Sequence, residues 1–191
     1  MKLVLGSASP RRKQILTEMG FKFDVIKPDI DEKAIRDSDP RKLVLALACA
    51  KADAVIAKMH EPAIVITSDQ VVAFDGRTIE KPQNADEARQ MLKNYHEAAV
   101  ETVTSVVVTN IANHARYTGV DVATIYFKEF SDDAIEKIIQ NAEINVMDRA
   151  GGFAVEHPLV TPFVKKIQGD LDSIQGLPKT LLSRLLDEAR K

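Results

Sequence analysis

The chain has 191 residues, 45% hydrophobic and 28% charged, which suits one core-forming domain, or one domain with two lobes. Its formal net charge of -2 excludes a global basic field for nucleic acid, so any anion must be held by a local cluster of cations. Aromatics at 5% and no Trp exclude a broad base-stacking surface, and the single Cys49 excludes an intrachain disulfide.

In chain order, residues 2–6 form a short apolar strand. Ser9 and Pro10 then start a helix, the hydroxyl as N-cap and the proline at the first helical position. Ile15, Leu16 and Met19 make its apolar face, and Gly20 stops it. Residues 21–26 alternate as a second strand, and residues 28–33 form an acidic loop. A long helix covers residues 40–58 and holds Cys49 as a small hydrophobe. Residues 63–67 form a third strand that ends on Ser68-Asp69-Gln70 and resumes over residues 71–74, before an Asp75-Gly76 turn. Residues 85–95 form an amphipathic helix. Residues 100–110 and 117–127 are rich in Val and Thr and form two long strands. A helix over residues 131–140 is capped by Ser131, with Asp132 and Asp133 at the favoured end of its dipole. Residues 151–155 and 163–167 are read as strands, and residues 177–189 as a closing helix. Alternating elements define an α/β class with a mixed sheet.

The segment Ser7-Ala8-Ser9-Pro10-Arg11-Arg12-Lys13 is the first candidate for chemistry. A strand delivers the chain to a helix N-terminus, where backbone N–H groups and the dipole favour an anion. Three cations in that turn oppose the dipole, an arrangement explained if a phosphate docks there and meets the guanidinium forks. A solvated basic helix start is the bland alternative. Asp31-Glu32 lie in a loop and Asp69 at a strand end, where carboxylates can hold Mg²⁺ or accept a proton from water. Taken alone, Asp31-Glu32 is better read as a solvated loop, Asp69 as a cap, and Lys51 and Lys81 as surface lysines. No GxxxxGK[ST] loop is present, which excludes a P-loop enzyme.

Leu5-Gly6-Ser7-Ala8-Ser9-Pro10-Arg11-Arg12 resembles the opening signature of the Maf (septum-formation inhibitor-like) nucleotide pyrophosphatases. Matching pieces follow in order: Asp31-Glu32, Lys51-Ala52, Ser68-Asp69-Gln70-Val71-Val72, Asp75-Gly76 and Glu80-Lys81-Pro82. Asp148-Arg149-Ala150-Gly151-Gly152, then residues 164–169, and Gly176-Leu177-Pro178 complete a resemblance over essentially the whole chain, residues 1–191.

The resemblance implies an elongated mixed sheet flanked by helices, with two lobes around a central cleft, similar to inosine triphosphatase. It implies hydrolysis of a nucleoside triphosphate to the monophosphate and pyrophosphate. Asp69 is the implied general base, and Glu32 shares the metal and water site with it. Lys51 and Lys81 would neutralise charge on the phosphates, while Ser7, Arg11, Arg12, Gln70 and Glu156 bind substrate. Lys165 and Lys166 are weaker candidates.

The implied cofactor is a divalent metal, Mg²⁺ ahead of Mn²⁺ or Co²⁺, and the implied assembly is a homodimer. Three positions separate a dTTP/UTP branch from a 7-methyl-GTP branch of the family. Arg11 resembles the first, whereas Gln70 and Glu156 resemble the second. His157-Pro158 departs from the small residues expected beside Glu156. The residues 1–6 are too short an apolar run for a signal peptide, and no stretch approaches the ~18 apolar residues of a membrane span, so a cytoplasmic location is expected. No nucleic acid and no membrane are expected as partners. The rival reading is a nucleotide-binding regulator of cell division without significant catalysis.

Overall fold

The computed structural model describes all residues from Met1 to Lys191. The strands are β1 (Lys2–Leu5), β2 (Asp24–Val25), β3 (Ala63–Phe74), β4 (Arg77–Ile79), β5 (Val100–Asn110), β6 (Ala115–Phe127) and β7 (Val164–Gln168). The helices are α1 (Pro10–Glu18), α2 (Pro40–Ile56), α3 (Ala85–Asn94), α4 (Asp132–Gln140), α5 (Leu171–Ile174) and α6 (Lys179–Ala189). The seven strands form one sheet in the order β2-β1-β3-β5-β6-β7, with β4 paired to β3. Strand β1 is parallel to β2 and β3, while β4 is antiparallel to β3 and β7 antiparallel to β6. The sheet is therefore mixed, as the alternation of elements predicts.

The chain divides into two compact units. The first comprises Met1–Gln70, Val103–Val122 and Asp170–Lys191. Strand β1 and the first half of β3 are covered on both faces, which is why they read as unbroken apolar runs. Leu3, Leu5, Ile64, Ile66, Val106 and Val108 pack with Ile15 and Leu16 of α1 and with Leu182, Leu185 and Leu186 of α6. The intervening residues point the other way, Val4 and Val65 toward Val55 of α2, and Val107 toward Ala48 and Ala52. A period of two thus sorts one strand between two helical layers.

Gly6 ends β1 where no side chain fits. A Cβ built there would lie 2.6 Å from Thr67 Cγ2 and 3.0 Å from Val55 Cγ2. Both neighbours are β-branched and stiff. Gly6→Ala is expected to lower stability by about 1–3 kcal/mol through overpacking. A urea titration checks this, and an unchanged midpoint would show that Thr67 and Val55 yield at no cost.

The second unit comprises Val71–Thr102 and Ala123–Gly169. It holds most of the scarce aromatics. Tyr95 packs against Phe74, Phe127 and Phe153 at centroid distances of 5.5, 5.8 and 5.7 Å, and its buried hydroxyl donates to Gly151 O at 2.7 Å. Helices α3 and α4 are joined by Arg89–Glu136 at 2.6 Å and Lys93–Asp132 at 2.8 Å.

Several expectations are corrected. Strand β3 runs unbroken through Ser68-Asp69-Gln70. Those polar side chains find partners on both faces, so their polarity does not end the strand. Residues 151–155 are not a strand: Ala150–Gly152 is a 3₁₀ turn with φ of +72° at Gly151 and +65° at Gly152, a left-handed geometry that glycine adopts without strain. The second strand shrinks to Asp24–Val25, the residues that pair with Val4 and Leu5. The closing helix begins later, at Lys179, because Gly176 turns at φ +96° and Pro178 follows; the short α5 before it has no sequence signal.

Candidate active site

The loop after β1 folds as its hydroxyls dictate. Ser7 Oγ accepts from Ser9 N at 3.2 Å, and Ser9 Oγ caps α1 by accepting from Arg12 N at 3.3 Å. With Pro10 lacking an N–H and that of Arg12 taken, the helix end itself offers fewer free amides than its dipole implies. More of the work of holding an anion falls to side chains. A pocket of about 220 Å³ opens here, lined by Gly6 to Ser9, Arg12, Lys27, Pro28, Glu32 and Lys51.

Arg12 is fixed before any ligand arrives. Its Nε donates to Gly176 O at 2.8 Å and its Nη1 to Ser68 O at 2.7 Å. Burial lowers its pKa from the ordinary arginine value, opposed by the charges of Asp69 and Glu32. A guanidinium titrates far above neutral pH, so the cation persists.

Lys51 is the second fixed cation. On α2 it shares a face with Ala48, Ala52 and Val55, and only 7% of the residue is exposed. Its Nζ donates to Asp69 Oδ1 and lies 2.9 Å from Glu32 Oε1. Asp69 reaches α2 because side chains alternate along β3. Thr67 and Asp69 point to α2, where Thr67 Oγ1 donates to Ala48 O at 2.7 Å. Ser68 and Gln70 point to the C-terminal segment, Ser68 Oγ donating to Gly176 O at 3.0 Å. Burial pushes the Asp69 carboxyl above the usual carboxylate range, and Lys51 and Arg12 pull it back. Glu32 sits on a 3₁₀ turn, Glu32–Ala34, held by Asp31, whose Oδ1 accepts from Lys33 N at 3.0 Å. Asp31 is thus occupied as a cap, and Glu32 is the carboxylate that reaches Lys51.

Ser7, Arg12, Lys51, Glu32 and Asp69 are therefore brought together. Arg11 is not a pocket residue: it folds back along α1, Nη1 donating to Gln14 at 2.8 Å. Gln70 faces away from Lys51, and its Nε2 donates to Thr104, Ser173 and Ile174. Lys81 and Glu156 belong to the second unit and are both exposed there. Lys165 and Lys166 are exposed on β7, Lys166 over the Tyr126 ring. Cys49 packs partly buried on α2, its thiol pKa raised by burial. Ser68, Thr104 and Gly176 escaped the sequence reading of the site, although the motifs that mark the resemblance contain two of them.

No three His, Cys, Asp or Glu residues converge as a metal cage. Two carboxylates on one ammonium fit a hard cation that shares its shell with phosphate oxygens and water. No helix is long and apolar enough to cross a membrane.

Fold and site define an α/β protein in which a fixed guanidinium, a buried ammonium and the Glu32 carboxylate line one pocket, with the Asp69 carboxylate paired to that ammonium. The Maf-like protein family model matches residues 2–189, and the chain belongs to that family. It is 42% identical to a 7-methyl-GTP pyrophosphatase of Dictyostelium discoideum, over 97% of this chain and 96% of that one. It is 35% identical to a dTTP/UTP pyrophosphatase of Vibrio vulnificus, over 98% of each chain. A dITP/XTP pyrophosphatase structure from Mycobacterium abscessus is a distant likeness, with TM-score 0.41 and 12% identity over 66% of this chain and 74% of that one.

Proposed function

We propose that the chain hydrolyses a nucleoside triphosphate to the monophosphate and pyrophosphate. The observation behind this reading is Lys51 held between Asp69 and Glu32 beside the Ser7–Arg12 loop. Relatives at 42% and 35% identity over nearly the whole chain bear names of that activity.

Water attacks the α-phosphorus. The new P–O bond forms as the bond to the α–β bridging oxygen breaks, and pyrophosphate leaves. Asp69 takes the proton from the attacking water. Its raised pKa, caused by burial, suits a base better than an ordinary carboxylate. Arg12 and Lys51 oppose the charge that develops on the phosphates, already oriented and partly desolvated. Mg²⁺ held by Glu32 and Asp69, with Mn²⁺ or Co²⁺ as substitutes, would supply Lewis-acid polarisation of the phosphate oxygens. The family resemblance also implies charge neutralisation by Lys81 and substrate binding by Glu156. We place the enzyme in the cytoplasm as a homodimer that removes modified nucleotides, and we favour a 7-methyl-GTP-type base. Support for that base comes from Gln70, Glu156 and the 42% identical relative.

The test is pyrophosphate release from a panel of dTTP, UTP, CTP, GTP and 7-methyl-GTP with Mg²⁺. We expect 7-methyl-GTP to lead, and EDTA to abolish turnover until Mg²⁺ is restored. Release of orthophosphate would mean a different bond is cut. A folded protein silent across the panel would favour the regulator reading.

A further inference from the structure

Glu156 is exposed on a tight turn, and the next residue, His157, ties that turn down. His157 N donates to Ala154 O at 3.0 Å, closing a four-residue turn with Val155 and Glu156 at its centre. Val155 and Val160 are buried, so the chain is anchored on both sides of the stretch between them. The His157 carbonyl accepts from Val160 N at 2.8 Å, Thr161 N at 2.9 Å and Thr161 Oγ1 at 3.0 Å. Thr161 Oγ1 also lies 3.0 Å from Val155 O and so bridges the two sides. Pro158 has no N–H, which makes the Leu159 amide the first free donor after the histidine. His157 Nδ1 accepts from it at 3.2 Å. That bond leaves the ring proton on Nε2, which lies 3.5 Å from Glu143 Oε2. The ring is thus held from two sides, with 16% of the side chain exposed.

Capture of an amide two residues on is ordinarily the work of Asn or Asp. This chain uses it at Asn113, whose Oδ1 accepts from Ala115 N at 3.0 Å, and at Asn141, whose Oδ1 accepts from Glu143 N at 2.9 Å. His157 does the same with a ring nitrogen, directly beside the exposed carboxylate. We propose that His157 is a positioning residue for base recognition, its Nδ1 fixing the 154–161 segment and with it the aim of Glu156. This rests on the reading of Glu156 as a substrate-binding residue. Hydrogen bonds weaken steeply when misdirected. A slack turn therefore costs the base that Glu156 meets and spares the phosphate chain, which every substrate shares.

Three substitutions separate positioning from mere support. His157→Leu removes the acceptor at similar bulk. His157→Gln keeps a polar side chain but carries its oxygen one methylene too far, and His157→Asn keeps an acceptor at the same reach. For these, the wild type and Glu156→Ala, kcat/KM is measured with the best purine and the best pyrimidine triphosphate. The inhibition constant of inorganic pyrophosphate, which has no base, and the melting temperature are measured alongside. Expected for His157→Leu and His157→Gln is a kcat/KM ratio shifted about five-fold against the preferred base, the scale of one hydrogen bond, and carried by KM. The pyrophosphate inhibition constant stays at the wild-type value, and His157→Asn restores the ratio. In a Glu156→Ala background, His157→Leu should shift the ratio no further. An unchanged ratio in the Leu and Gln variants overturns the proposal, as does a loss shared equally by both substrates and pyrophosphate. No rescue by Asn overturns the role of Nδ1. If Glu156→Ala itself leaves the ratio unchanged, the reading of Glu156 fails, and the inference with it.

Discussion

Asp69→Asn is expected to fold and to bind the triphosphate, yet to lose turnover by about 10²–10⁴-fold, the range of a lost general base. The substitution keeps the shape of the side chain. Lys51 retains Glu32 at 2.9 Å, so no buried cation is orphaned. What goes is the proton acceptor for the attacking water. Pyrophosphate release gives kcat, and inhibition by pyrophosphate reports whether the phosphate site survives. The Mg²⁺ concentration for half-maximal rate separates the two roles of this carboxylate. A fallen kcat at unchanged half-saturation supports the base. A rate restored by excess Mg²⁺ makes Asp69 chiefly a ligand. Full activity removes it from the chemistry.

Lys51→Met should be the most destructive single change. The methionine fits the length of the lysine stem and keeps the helix propensity of α2. It leaves Asp69, 6% exposed, without its main counter-charge. Breaking a buried pair from one side costs about 3–5 kcal/mol, because the remaining charge stays desolvated. Glu32, with 58% of its side chain exposed, adds little to that cost since water can solvate it. Activity should fall with stability, for the same ammonium faces the pocket. The double variant Lys51→Met with Asp69→Asn is expected to regain much of the stability and none of the activity. Denaturant midpoints of the four proteins form the cycle that measures the coupling. A coupling near zero would mean the pair is not energetically linked.

Much of this was legible in the residues. The apolar runs of β1 and β3, the Val- and Thr-rich β5, the Ser9-Pro10 helix start and the Ser131 cap are local properties, set within a few residues of chain. They defined the α/β class and most of the elements. The ordered motifs from Leu5 to Pro178 pointed to the family, and the family model covers nearly the same span. Local signals erred where the deciding contact was remote. Ser68-Asp69-Gln70 resembled a strand end because three polar residues interrupted an apolar run. They stay in strand because Lys51 meets one face and Thr104, Ser173 and Gly176 the other. Gly151-Gly152 resembled the start of a strand, yet both residues take left-handed angles, with the Gly151 carbonyl held by Tyr95, 56 residues earlier.

By itself, then, the sequence determined the class of fold, the family and the short set of charged residues worth suspecting, since each depends on local pattern or on the order of motifs. Only the tertiary structure decided which of those charges meet. Arg11 and Arg12 are adjacent and chemically identical, but helical geometry turns one to Gln14 and the other to Gly176 and Ser68. Lys51 differs from any surface lysine only because α2 lies against β3 where an alternating strand presents Asp69. Direction and burial are properties of packing, and no single stretch of chain contains them.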